Sequence, residues 1–128
     1  PGTLASEVDL DLQPVQLRVP DAFRGEVRDD LILNLPPGFS ASVFAHERLR
    51  KPRFMAFDDN GVLHVANMAA DQIVALPDRN QDGIANERIV AAKGFKEAHS
   101  LAFYKGAMYV ADTDAILACP PIVDPVLA

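Results

Sequence analysis

Two stretches of this chain are copies of one another, and that restricts what it can fold into more than any other feature. "FMAFDDNGVLHVANM" (54–68) matches "SLAFYKGAMYVADT" (100–113) once one residue is gapped in the turn. Ala56 falls on Ala102, Phe57 on Phe103, Gly61 on Gly106, Val65 on Val110 and Ala66 on Ala111. Each copy reads as strand, Gly-containing hairpin, strand. The spacing is about 45 residues, inside the ~40–50 of β-propeller blades. "QIVAL" and "ERIVA" lie between the copies and supply the outer two strands of a four-stranded blade. The competing reading is an antiparallel sandwich in which two hairpins happen to look alike.

The rest of the chain agrees with an all-β fold. Short runs rich in Val, Ile, Phe and Tyr ("SASVFA", "FMAF", "VLHVANM", "AMYVAD", "AILA") are bounded by turn residues, and no helical period lasts beyond one or two turns. In "VDLDLQPVQLRV" (8–19), Val8, Leu10 and Leu12 alternate with polar residues. After Pro14 the apolar set moves to Val15, Leu17 and Val19, a parity flip that predicts a bulge or break. "PDAFRGEVRDD" is a polar connector with room for one helical turn. We divide the chain into an N-terminal extension (1–30) and a partial β-propeller of about two blades (31–128). Blades close into rings of roughly four to eight, so two leave apolar blade faces open. Self-association through those faces is the expectation.

Charge and composition exclude several functions. Among 128 residues the net charge is −6 with no Lys/Arg cluster, which argues against nucleic acid as a partner. No apolar run approaches the ~20 residues of a membrane span. The single Cys119 excludes an intrachain disulfide, a CxxCH haem attachment and a cysteine-rich zinc site. Neither Cys119 nor Ser100 has the His and acid spacing of a nucleophile.

One loop begins like a calcium loop. In "PDRNQDGIANERIV" (77–90), Asp78, Asn80 and Asp82 alternate and Gly83 follows at once. Three side-chain oxygens would converge, Gly83 would allow the sharp turn, and Ile84 would offer its carbonyl. Ile89 stands where the usual bidentate acid belongs, and Glu87 is the nearest replacement. The same residues also build ordinary tight turns, so a structural calcium ion and a metal-free turn both stand.

"LPPGFSASVFA", "KPRFMAFDDNGVLHVAN" and "AHSLAFYKGAMYVAD" together resemble the opening blades of the glucose/sorbosone dehydrogenase family, over roughly residues 31 to 117. The resemblance implies a six-bladed propeller, export to the periplasm or outside the cell, and sugar oxidation with the quinone cofactor PQQ. It implies that the catalytic histidine belongs to a later blade and that the isolated chain is inactive. His99, just before the second inner strand, resembles a pocket residue near the cofactor. Arg53 aligns with it in the repeat, and with Lys51 it could face an anionic quinone. His64 reads as a sheet-surface residue and His46 as a solvated one. Asn67 and Asp112, aligned after the second strand of each hairpin, read as holding the turn between blades by side-chain to backbone bonds. Two alternatives remain: a non-catalytic binding or assembly module, and a calcium-dependent lactonase-type propeller. The segments 1–30 and "CPPIVDPVLA" resemble nothing.

Overall fold

A computed structural model describes residues 10–121 of the chain. The start of the first expected strand, at Val8, and the end of the Pro-rich tail lie outside the described residues. The fold is all-β: among the described residues there is no α-helix, and three antiparallel sheets of two to four strands account for all nine named strands. None of them closes into a barrel. The chain divides between Phe44 and Ala45 into two compact units.

In the first unit, β1 (Gln13–Gln16) pairs with β2 (Ile32–Leu35). The expected break at Pro14 is not there: Pro14 sits inside β1 and the register with β2 runs through it without a shift, while Asp11, ahead of the strand, has a φ of +51°. A two-stranded ribbon tolerates that proline because its missing N–H can face the unpaired edge. The expected helical turn is a single 3₁₀ turn at Asp21–Phe23. "SASVFA" does not form a strand of its own; only Ser42 bridges, in parallel, to Arg18. β2 was not foreseen, because "LILNL" lacks a clear alternation of apolar and polar residues.

The second unit contains the repeat. β3 (Pro52–Phe57), β4 (Leu63–Asn67), β5 (Gln72–Leu76) and β6 (Ile89–Lys93) form a four-stranded meander, and β7 (Ser100–Tyr104), β8 (Ala107–Ala111) and β9 (Ile116–Cys119) form a three-stranded one. Their registers correspond pair by pair. Met55↔Val65, Ala56↔His64 and Phe57↔Leu63 match Leu101↔Val110, Ala102↔Tyr109 and Phe103↔Met108. On the next strand, Ala66↔Ile73 and His64↔Ala75 match Ala111↔Ile116 and Tyr109↔Ala118. The one-residue gap is a turn difference. Lys105 and Gly106, at φ +50° and +79°, form a tight two-residue turn of the I′ kind, whereas Asp58–Val62 makes a longer loop in which the Asp58 Oδ1 accepts the Asn60 and Val62 N–H groups.

The core lies between these two sheets. Side chains alternate faces along each strand, so Ala56, His64, Ala66 and Ile73 share one face of the first sheet. Leu101, Phe103, Met108 and Val110 share one face of the second. Ala66, Ile73, Ala98, Leu101 and Val110 are buried together, with Phe95 and Phe103 packed against them. His64 is not a sheet-surface residue. It is 9% exposed, its ring meets Phe103 edge-on at 4.8 Å, and its Nδ1 lies 3.1 Å from the Val62 carbonyl. Sequence alternation could not reveal this, because both faces of β4 are covered: Val65 and Asn67, on the other face, are buried too.

The repeat makes a paired test possible. Ile73 and Ile116 are equivalent in register, but Ile73 is 0% exposed and Ile116 70%. Ile73→Ala should cost about 3 kcal/mol through lost transfer energy and a cavity. Ile116→Ala should cost about 0.5 kcal/mol in dilute solution. Urea unfolding of both variants measures the difference, and equal losses would mean the two sheets are not packed as described.

Candidate functional site

The meander topology puts four connections at one end of the two sheets: the segment entering β3, the β4–β5 turn, the β6–β7 segment and the β8–β9 turn. The β3–β4, β5–β6 and β7–β8 connections lie at the other end. His99 belongs to the first group, in the β6–β7 segment, and Arg53 is the second residue of β3 at the same end. The Phe54 N–H donates to the His99 carbonyl at 3.3 Å, and the His99 N–H donates to the Ala111 carbonyl at 3.1 Å. The first of these bonds joins the start of β3 to the start of β7, so the repeat-equivalent residues Arg53 and His99 stand on adjacent strand ends. The His99 Nδ1 lies 3.1 Å from the Glu97 carbonyl. A carbonyl can only accept, so Nδ1 carries the proton and Nε2 is the nitrogen left for another partner. Arg53 is exposed and makes no ion pair among the described residues.

A groove of about 650 Å³ opens at the same end, lined in part by Lys51, Asp71, Phe95, Lys96, Glu97 and Thr113. Lys51 is part of its wall, whereas Arg53, the stronger candidate by alignment, is not. Lys96, Glu97, Asp71 and Thr113 had not been singled out in the sequence. The available signal was their closeness to His99 and to the two aligned turn residues. Three non-glycine residues in this wall, Lys51, Asp71 and Glu97, have φ of +52°, +55° and +98°. Such backbone costs of order 1–3 kcal/mol each and persists only where neighbours enforce it.

Those neighbours are identifiable. Ahead of β7, the Lys96 N–H donates to both carboxylate oxygens of Asp112, at 2.9 and 3.1 Å, and the Thr113 hydroxyl donates to the Lys96 carbonyl. The Glu97 N–H donates to the Asp71 carboxylate at 3.2 Å, and the Gly94 and Phe95 N–H groups donate to the Asp71 carbonyl. Ahead of β3, Asn67 has the corresponding place. Its Oδ1 accepts the Arg50 N–H at 2.7 Å, and its Nδ2 donates to the Arg48 carbonyl at 3.0 Å and to the Gln72 Oε1 at 3.1 Å. Asn67 and Asp112 thus both tie the segment entering an inner strand to the end of that strand's partner, as their alignment implied.

The 77–88 loop, between β5 and β6, lies at the opposite end of the sheets. Asp78, Asn80 and Asp82 are drawn together by the turn's own bonds. The Asp78 carboxylate accepts the Asp82 and Gly83 N–H groups at 3.2 and 2.9 Å. The Asp82 Oδ1 accepts the Ile84 N–H at 3.0 Å, and the Asn80 Nδ2 donates to the Asp82 Oδ2 at 3.3 Å. Gly83 takes a φ of +84°, as a sharp turn requires. Glu87 is turned to Arg79, whose Nε donates to it at 3.0 Å. The side-chain oxygens of Asp78, Asn80 and Asp82 thus accept donors from within the loop itself, and Glu87 is paired with Arg79. Among the described residues, this loop included, no group of three or more His, Cys, Asp or Glu side chains is placed to hold a metal ion.

The family model described as a domain of unknown function (DUF7133) matches residues 31–120. The chain belongs to the DUF7133 family. No curated protein matches it. The matched span of the DUF7133 domain takes in both hairpins of the repeat, both turn-holding residues and the 77–88 loop. No helix among the described residues is long and apolar enough to cross a membrane.

Two outcomes follow for the turns. Asn67 is 0% exposed, so Asn67→Ala leaves a buried N–H and carbonyl unpaired and should cost about 2 kcal/mol. Asp112→Ala, at a half-buried site, should cost about 1 kcal/mol and speed hydrogen exchange at the Lys96 amide. An unchanged Lys96 amide would remove the holding role. For the 77–88 loop, Asp78→Ala should lower the melting temperature even with chelator present, because the Asp82 and Gly83 N–H groups lose their acceptor. A bound calcium ion would add a calcium-dependent rise in wild type that the variant lacks, and a wild type indifferent to calcium leaves only the turn.

Proposed function

We propose that this DUF7133 domain is part of a β-propeller of the glucose/sorbosone dehydrogenase type, and that the end carrying Arg53 and His99 faces PQQ and a sugar. The observation that carries the reading is the bond from the Phe54 N–H to the His99 carbonyl, which joins the strand ends that bear the two repeat-equivalent candidates. The matching four- and three-stranded meanders support two neighbouring blades. Arg53 would hold a quinone carboxylate in a bidentate pair, and Lys51 and Lys96 would add positive charge from the adjoining groove. His99, fixed through Nδ1, would offer Nε2 to the cofactor or the sugar. When bound, the quinone supplies the oxidation itself. A structural calcium ion in the 77–88 loop and export to the periplasm or beyond belong to the same reading.

Residues for the proton-abstracting step would come from blades beyond this chain, so the isolated chain should bind PQQ without turning over sugar. The test is a PQQ titration followed by quinone absorbance on the protein-bound fraction. Wild type should bind, and Arg53→Ala should bind about tenfold more weakly, the loss expected for one charged bidentate contact. A wild type that binds no PQQ at millimolar concentration overturns the reading. Dye-linked glucose oxidation by the chain alone would show that its own residues include a base, with His99→Ala the first variant to make.

The second reading, a non-catalytic binding or assembly module, is favoured by the exposed outer face of the second sheet, where Tyr104 is 62% and Ile116 70% exposed. The lactonase alternative gains no such observation.

A further inference from the structure

Two residues ahead of Arg53 and two ahead of His99, the chain makes the same kind of bend. Lys51 and Glu97 both take left-handed φ, +52° and +98°. Neither is glycine, so each bend is strained and persists only where neighbours hold it. At Glu97 the bend has a chemical consequence. It turns the Glu97 carbonyl back toward the ring two residues on, 3.1 Å from the His99 Nδ1. That acceptor keeps the proton on Nδ1 and leaves Nε2 as the open nitrogen.

The peptide between Lys96 and Glu97, whose orientation sets this φ, is gripped at both of its polar atoms. Its carbonyl accepts the Thr113 hydroxyl, and its N–H donates to the Asp71 carboxylate at 3.2 Å. Ala98, on the far side of the bend, is buried. Thr113 lies in the turn after β8, in His99's own sheet, whereas Asp71 comes from the β4–β5 turn of the first sheet. Asp71 is itself fixed in place, since its carbonyl accepts the Gly94 and Phe95 N–H groups.

We propose that Asp71 is a positioning residue for His99. By holding the Glu97 N–H it keeps Glu97 in the left-handed bend, and the bend keeps Nδ1 protonated and Nε2 open to a ligand. The first sheet thereby sets the tautomer of a histidine that precedes a strand of the second. The value of this to binding rests on the reading of the Arg53 and His99 end as the ligand site, but the tautomer is a property of the ligand-free chain.

The test is long-range proton–nitrogen NMR correlation of the histidine rings in the ligand-free 128-residue chain. It is run about two pH units above the ordinary histidine pKa, so that the rings are neutral. His99→Gln assigns the signal. His64 is an internal control, because its Nδ1 lies 3.1 Å from the Val62 carbonyl, a contact in which Asp71 has no part. Wild type should show a protonated Nδ1 and a bare Nε2 at His99. Asp71→Gly, which suits the turn's φ of +55°, should move the proton at least in part to Nε2 of His99 and leave His64 unchanged. Asp71→Asn, whose Oδ1 can still accept the Glu97 N–H, should keep the wild-type pattern. Asp112→Ala, which frees the Lys96 N–H instead, should keep it too. Circular dichroism near wild type confirms folding. Should the glycine variant not fold, Asp71→Ser, whose hydroxyl stops one bond short of the carboxylate oxygens, takes its place and is read the same way. A wild type with the proton on Nε2, an unchanged His99 in the folded variant that lacks the carboxylate, or an equal change in Asp112→Ala overturns the proposal. Quinone binding enters none of these readings, so a chain that binds no PQQ leaves the tautomer result standing.

Discussion

The second unit depends on a match of sizes between two sheets. The first sheet offers a face of small side chains, Ala56 and Ala66, with Ile73 beside Ala66 on β5. The second offers large ones, Leu101, Phe103, Met108 and Val110. Small against large lets the sheets interdigitate at interior density. His64 fits this scheme because its ring takes an aromatic contact with Phe103 while its Nδ1 is satisfied by the Val62 carbonyl. A histidine can line an apolar seam when its polar atoms have local partners.

That packing also determines where chemistry can occur. With the sheets side by side, the connections at one end meet and build the groove wall, while the 77–88 loop at the other end serves only its own sheet. The groove wall contains strained backbone at Lys51, Asp71 and Glu97 and a dense set of side-chain to backbone bonds. The far loop is held by bonds among its own residues, 78 to 87. The two ends of the fold therefore meet different demands: one positions groups contributed by several segments, and the other closes a long connection.

The sequence disclosed the two hairpins, β3–β4 and β7–β8, well because the repeat supplied two independent views of each of their strands. An alternation that is ambiguous in "FMAF" is settled by "SLAF", and the two hairpins agree on where the glycine belongs. Outside the repeat there was only one view. "SASVFA" looked like a strand and is a single bridge, while "LILNL" is a strand that its continuous apolar run disguised. At the site, Arg53, His99, Asn67 and Asp112 were legible because alignment pairs them. Asp71 was not, because it accepts from the backbone of the segment leading to the next sheet, at Gly94, Phe95 and Glu97, and the repeat has no second copy of that contact. Lys96 was not, because it takes part through its backbone N–H and its side-chain type carries no signal.

The two aligned turn residues show why equivalent positions need not carry the same side chain. Both hold the segment entering an inner strand, but their partners differ. Asn67 is fully buried and faces a backbone N–H, a backbone carbonyl and a side-chain oxygen. Only an amide presents both an acceptor and two donors to such a set, and a carboxylate there would be a buried charge aimed at two oxygens. Asp112 is half-buried and meets donors, the Lys96 N–H reaching both of its oxygens. A carboxylate accepts at both atoms and tolerates the partial exposure, whereas an amide would turn its NH₂ group toward that N–H. The substitution between the copies follows the polarity of what each must hold, and the holding itself is what the repeat conserves between its two halves.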